Sequence, residues 1–101
     1  MHDAIRDFIS EARWSKKVSG EMIGAVLALS YIDKPGLIEE MASLKNRFKG
    51  IICSNQQMFV EDNKMLEIIS IKGDSMKIKK MIELLKSKKG VKQVTSSLIT
   101  I

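Results

Sequence analysis

An almost unbroken apolar run, Met22–Ile32, stops at Asp33-Lys34-Pro35-Gly36. The run is too short to cross a membrane as a helix, and its flanks are turn residues, so it reads as a strand buried on at least one face. Beyond the break, Leu37, Ile38, Met41, Leu44 and Phe48 recur at helical spacing and give one apolar face. Asp33 or Lys34 is expected to cap that helix, with Pro35 tolerated in its first turn and Lys49-Gly50 as its stop. A strand joined to an amphipathic helix by so tight a turn must lay the helix back on a sheet, and the rest of the chain has to supply that sheet.

It does so in a regular order. Ile51–Val60 and Met65–Lys72 read as strands joined by a Glu61-Asp62-Asn63-Lys64 hairpin turn. Within the second of them, Glu67, Ile69 and Ile71 alternate with Leu66, Ile68 and Ser70. Asp74 suits an N-cap, and Ile78, Met81, Ile82 and Leu85 form the buried stripe of a second helix that Gly90 ends. Val91–Ile101 closes the chain as a last strand.

The β-α-β-β-α-β order predicts an α+β fold, a ferredoxin-like βαββαβ sandwich over residues 21–101. One amphipathic helix precedes it: Ile5, Phe8, Ile9 and Ala12 make a stripe along Asp3–Trp14, and Ser15–Gly20 is a linker, so residues 1–20 form a separate N-terminal piece. Two helices can cover only one face of the sheet. Met58, Ile69 and Ile99 are expected to contribute to the other, and another subunit is its simplest cover, which predicts a homo-oligomer, dimer or tetramer.

Enzymatic chemistry is not expected. The only histidine is His2, beside the terminus, and the only cysteine, Cys53, lies in an apolar strand where a buried, inert thiol is expected. No glycine-rich phosphate loop is present, and Glu39-Glu40, adjacent on a helix, point to different sides. Core packing accounts for the methionines better than metal binding does. A net charge of +5 permits a nucleic-acid partner without demanding one, because much of the excess lies on Lys77, Lys79, Lys80, Lys86, Lys88 and Lys89, read as the solvated side of the second helix and its end. No membrane partner is expected, and with no apolar signal core in Met1–Trp14 and a lone cysteine, a cytoplasmic location is.

The stretch Leu29-Ser30-Tyr31-Ile32-Asp33-Lys34-Pro35-Gly36-Leu37-Ile38 resembles the strand–turn–helix of ACT domains, small-molecule-sensing modules of regulatory proteins, and Val91-Lys92-Gln93-Val94 after Lys89-Gly90 is similar to their closing strand entry. The likeness, running from Ile23 to Ile101, implies an ACT-type sandwich with a candidate ligand turn at Asp33, Lys34, Pro35, Gly36, Leu37 and Ile38. Physically, Gly36 would allow close approach, and free amides at the helix start could hold an organic anion.

A second resemblance takes in the N-terminal helix. Ala4-Ile5-Arg6-Asp7-Phe8-Ile9 looks like the second helix of a ribbon-helix-helix DNA-binding domain, and Leu66–Asp74 and Lys89-Gly90-Val91-Lys92 are similar to stretches of the nickel-responsive transcriptional repressors. The resemblance implies a remnant ribbon-helix-helix piece over residues 1–20 and an ACT-like regulatory and oligomerisation domain over 21–101. It also implies a nickel site built from an H-x-H pair, a cysteine, and a histidine from the first helix of a neighbouring subunit's domain. Carried onto this chain, those positions hold Gln57, Phe59, Met65 and Asn46, none a strong nickel ligand, so no metal site and no cofactor are expected. The family's DNA-reading ribbon would precede Asp3, and specific DNA binding by these 101 residues is not expected. The leading expectation is a transcriptional-regulator homologue reduced to its sensing and assembly core. The alternatives are a free-standing ACT-type binder of an amino-acid-like ligand and an assembly module for full-length relatives.

Overall fold

A computed structural model of the chain describes residues 20–100. The expected helix at Asp3–Trp14 and most of its linker lie outside the described residues. Within them the elements are β1 (Glu21–Tyr31), α1 (Leu37–Arg47), β2 (Ile52–Glu61), β3 (Lys64–Asp74), α2 (Ser75–Ser87) and β4 (Val91–Thr100). The four strands form one sheet in the order β2-β3-β1-β4, every neighbouring pair antiparallel. Each βαβ connection therefore skips a strand: β1 reaches β2 across β3, and β3 reaches β4 across β1. This is the ferredoxin-like α+β arrangement that the element order implies.

Both helices lie on one face. Leu37, Met41 and Leu44 from α1 and Ile78, Met81, Ile82 and Leu85 from α2 are buried together with Met22, Val26, Ile69, Ile71 and Leu98 of the sheet. The period-2 pattern of β3 is kept throughout, with Met65, Glu67, Ile69 and Ile71 buried and their neighbours less so. Ile69 thus belongs to the helix-covered face, not to the open one as expected: it is 0% exposed. On the open face Leu27 stands opposite Ile68, Leu29 opposite Leu66, Met58 opposite Leu66 and Ile23 opposite Ile99. Leu27, Met58 and Ile99 are exposed there, a row of apolar side chains no described residue covers.

The caps are partly as expected. Asp74 Oδ2 accepts from the backbone amides of Met76 (3.1 Å) and Lys77 (3.2 Å), satisfying donors that the helix itself cannot. At α1 the cap is Gly36, not Asp33 or Lys34, because the chain enters the helix through a left-handed residue (φ 80°). At the other end Phe48 is the C-cap, and Gly50 has no positive φ, so it does not act as a left-handed stop. Gly90 does adopt one, at φ 97°, but it does not end α2 as expected: the helix stops at its C-cap, Lys88, whose extended backbone breaks it two residues earlier. Of the methionines, Met22, Met41, Met65 and Met81 are buried as expected and Met58 lies on the open face as expected, whereas Met76 is exposed.

Candidate functional site

The side chain that organises one end of the sheet is Glu67, 1% exposed on the helix-facing side of β3. A carboxylate this deep needs partners for its charge and its lone pairs. It has three. Lys45, from the last turns of α1, places its ammonium 2.9 Å from Oε1 and 3.0 Å from Oε2. Gln57 donates from Nε2 to Oε2 at 2.9 Å, and Asn55 donates more weakly from Nδ2 to Oε1 at 3.4 Å. Lys45 also donates to Asn55 Oδ1 at 3.0 Å, so the four side chains close a network.

Local sequence explains how they meet. Lys45 follows Leu44, buried in the core, and points over the rim of the sheet, where its stem packs and its head reaches inward. Asn55 and Gln57 come from β2, an edge strand. The β2–β3 register shifts between Ile52 and Ser54, which inserts Cys53 as an extra residue. After that bulge Asn55 faces Ile69, Gln57 faces Glu67 and Phe59 faces Met65. Cys53 itself is exposed, in contrast to the buried thiol expected from its apolar strand, because it lies on an edge strand that is exposed along its whole length after Ile52.

Beside this network lies a cleft of about 400 Å³ between α1 and the ends of β2 and β3. Gln57, Phe59 and Met65 line it, with Lys45 and Glu67 at its polar side. Three of the four positions singled out by the nickel-repressor resemblance are thus brought together. The fourth, Asn46, is exposed next to Lys45 and is not among the cleft residues. Leu37 and Ile38 of the candidate turn line the same cleft, while Asp33, Lys34, Pro35 and Gly36 stand exposed outside it. Gly36 is required for its left-handed φ rather than for close approach, since a Cβ there would meet nothing within 4 Å. The tight contact falls to Gly90, where a Cβ would lie 2.8 Å from both Lys34 Cγ and Leu37 Cδ2. At the helix start the Leu37 amide is already engaged by Lys34 O, and Glu39 and Glu40 fill the first turn with negative charge. Glu67 and Lys45, the centre of the cluster, are not among the residues singled out by sequence. The one signal was an acidic residue at a core-facing position of β3, whose alternation demands a buried partner.

The donor set does not suit nickel. Gln57 offers a carboxamide already spent on Glu67, Met65 a thioether, Phe59 no donor atom at all, and Lys45 brings a positive charge to the place a cation would take. Among the described residues no group of three or more His, Cys, Asp or Glu could hold a metal ion. None of their helices is long and apolar enough to cross a membrane.

Comparisons with known proteins converge on one family. The model of the NikR C-terminal nickel-binding domain matches residues 23–99. A Methanocella arvoryzae protein provisionally named nickel-responsive regulator is 30% identical over 94 residues, covering 93% of this chain and 67% of its own length. A Methanocaldococcus jannaschii protein with the same name is 27% identical over 99 residues, covering 98% of this chain and 70% of its own. Among solved structures, the crystal structure of the ACT domain from the GTP pyrophosphokinase of Chlorobium tepidum superimposes with a TM-score of 0.65 at 15% identity, covering 76% of this chain and 99% of that one. The last likeness bears on the fold alone, and it matches the ACT-type sandwich expected from the turn at Asp33–Ile38.

Proposed function

This chain belongs to the NikR C-terminal nickel-binding domain family, and on that premise we propose that it is a regulatory and assembly domain that works without a nickel ion at the family's site. The observation that carries the reading is the occupancy of that site: Gln57, Phe59 and Met65 stand where metal donors would be needed, and the Lys45 ammonium, held by Glu67 and Asn55, lines the same cleft. The domain acts in the cytoplasm as a homo-oligomer, not as an enzyme. Its apolar open face, where Leu27, Met58 and Ile99 are exposed, supports association with a second copy. Isothermal titration of the purified chain with nickel tests the metal half. The expected result is no binding tighter than about 10 µM, on the order of −7 kcal/mol, and submicromolar binding overturns the reading.

A second reading, small-molecule sensing at Asp33–Ile38, is favoured by one observation: Leu37 and Ile38 carry that turn into the 400 Å³ cleft, a volume within the range of small-molecule sites. A panel of amino acids and small organic acids tests it. At least one compound should bind, more weakly to a Gly36→Val variant, whose left-handed cap is strained. A panel without any binder leaves assembly as the domain's role.

A further inference from the structure

We infer that the Lys45 ammonium is a tethered cation filling a cation site of the fold, formed by Glu67 and Asn55 and closed by Gln57, so that the junction of α1 with β2 and β3 is permanently in its cation-filled state. The inference rests on the reading above that no external metal occupies this place, and it says what does.

The geometry is that of a binding site rather than of a surface ion pair. The Glu67 side chain is 1% exposed and the Lys45 side chain 19% exposed, whereas a typical surface pair leaves both partners in water. The ammonium contacts both carboxylate oxygens, at 2.9 and 3.0 Å, and a carboxamide oxygen at 3.0 Å. Three oxygens converge on one nitrogen, which matches the three donors of an ammonium group. Gln57 then satisfies the carboxylate from the remaining side at 2.9 Å, using its N–H and not its oxygen. The oxygens come from two strands and the cation from a helix, so the site ties α1 by polar contacts to two strands that their own backbone ladder already joins. No buried polar side-chain atom among the described residues lacks a partner, so the site is complete without anything added.

Removal of the tether makes the site visible. In Lys45→Ala the oxygens remain and the missing part is, in chemical terms, a propylammonium ion. The full chain carrying this change should unfold roughly 10 °C or more below the native protein, because a buried carboxylate loses its counter-charge. Added n-propylammonium chloride at tens of millimolar should restore at least a third of that loss. Tetramethylammonium chloride at equal concentration should not, since it carries the same charge but no N–H donor. Lys45→Ala/Glu67→Gln should be more stable than Lys45→Ala and unresponsive to propylammonium. If Lys45→Ala does not fold in buffer, recovery of its circular dichroism with propylammonium alone is the same test. Equal rescue by both salts, no rescue by either, or a single variant as stable as the double one overturns the inference. Nickel titration of the native chain decides the underlying reading separately, because its outcome does not alter which ammonium salt rescues Lys45→Ala.

Discussion

Gln57 and Glu67 stand directly opposite each other across the β2–β3 ladder, and the Gln57 carboxamide donates to the Glu67 carboxylate at 2.9 Å. β2 is an edge strand exposed at every residue but Ile52, Gln57 included, so this bond is one of few that fasten its outer half by side chains. Gln57→Ala should cost about 1–2 kcal/mol, the range for a hydrogen bond to a charged, buried acceptor when water can enter from the edge. Denaturant melts of the two proteins measure it. A loss below about 0.3 kcal/mol would show that β2 is held by its backbone ladder alone.

Gly24 sits in the centre of β1, opposite Leu98 of β4. A Cβ on it would collide with the Ser97 carbonyl oxygen and lie 2.9 Å from Leu98 Cα. Both obstacles are backbone and cannot rotate away. Gly24→Ala should therefore destabilise by about 3 kcal/mol or more, at the upper end of overpacking effects, despite the better strand-forming character of alanine. Thermal unfolding by circular dichroism checks it, and a neutral result would mean that β4 can slide.

The N-cap of α2 predicts a graded series. Asp74 accepts two amide bonds at the helix start. Asp74→Ala should cost about 1 kcal/mol and Asp74→Asn a few tenths at most, since asparagine keeps the acceptor and loses only the charge that favours the helix dipole. Equal losses in the two variants would assign the whole effect to charge.

Self-association should depend on the open face. Leu27 and Ile68 are paired at its middle, with Leu27 exposed and Ile68 half-buried. Sedimentation of the native chain should show a dimer or tetramer at micromolar concentration. Leu27→Lys should shift it toward monomer while leaving the melting temperature of dilute protein within a few degrees. A native chain that sediments as monomer throughout sinks this prediction.

The β2–β3 hairpin carries the pH dependence that can be read from the fold. Lys64 Nζ lies 2.7 Å from Glu61 Oε1 across the turn. That hydrogen bond, and then the lysine's charge, hold the Glu61 carboxyl below its ordinary value of 4.5. The same bond raises Lys64 above 10.5, against a smaller opposing effect of desolvation. The carboxylate's share of stability is present above the ordinary carboxylate value and lost as pH falls through the lowered one. The lysine's share is complete below its ordinary value and lost as pH rises through the raised one. The difference in melting temperature between native protein and Glu61→Gln should be small, constant between about pH 5 and pH 10, and shrink outside that window. A difference that varies inside the window would place another group in control.

Much of this fold was legible before any coordinates. The break at Asp33–Gly36, the Asp74 cap and the stripe Ile78, Met81, Ile82, Leu85 are local patterns, and each element formed where its pattern lay. Two of the misreadings share one cause. Cys53 was expected buried and Ile69 on the open face, because composition shows that a segment is a strand but not which way its side chains point.

What the sequence determined alone was therefore the order of elements, their periods and the Asp74 cap of α2, all set by interactions within a few residues. Only the tertiary structure decided the site. The bulge at Cys53 slips β2 by one residue against β3, and in a strand a slip of one residue exchanges the two faces. That slip turns Asn55, Gln57 and Phe59 toward the helices and sets Gln57 against Glu67, while α1, ten residues earlier than Asn55 at Lys45, delivers the ammonium. Register is settled by the pairing of whole strands and the burial of whole faces, and no short stretch of the chain contains that information.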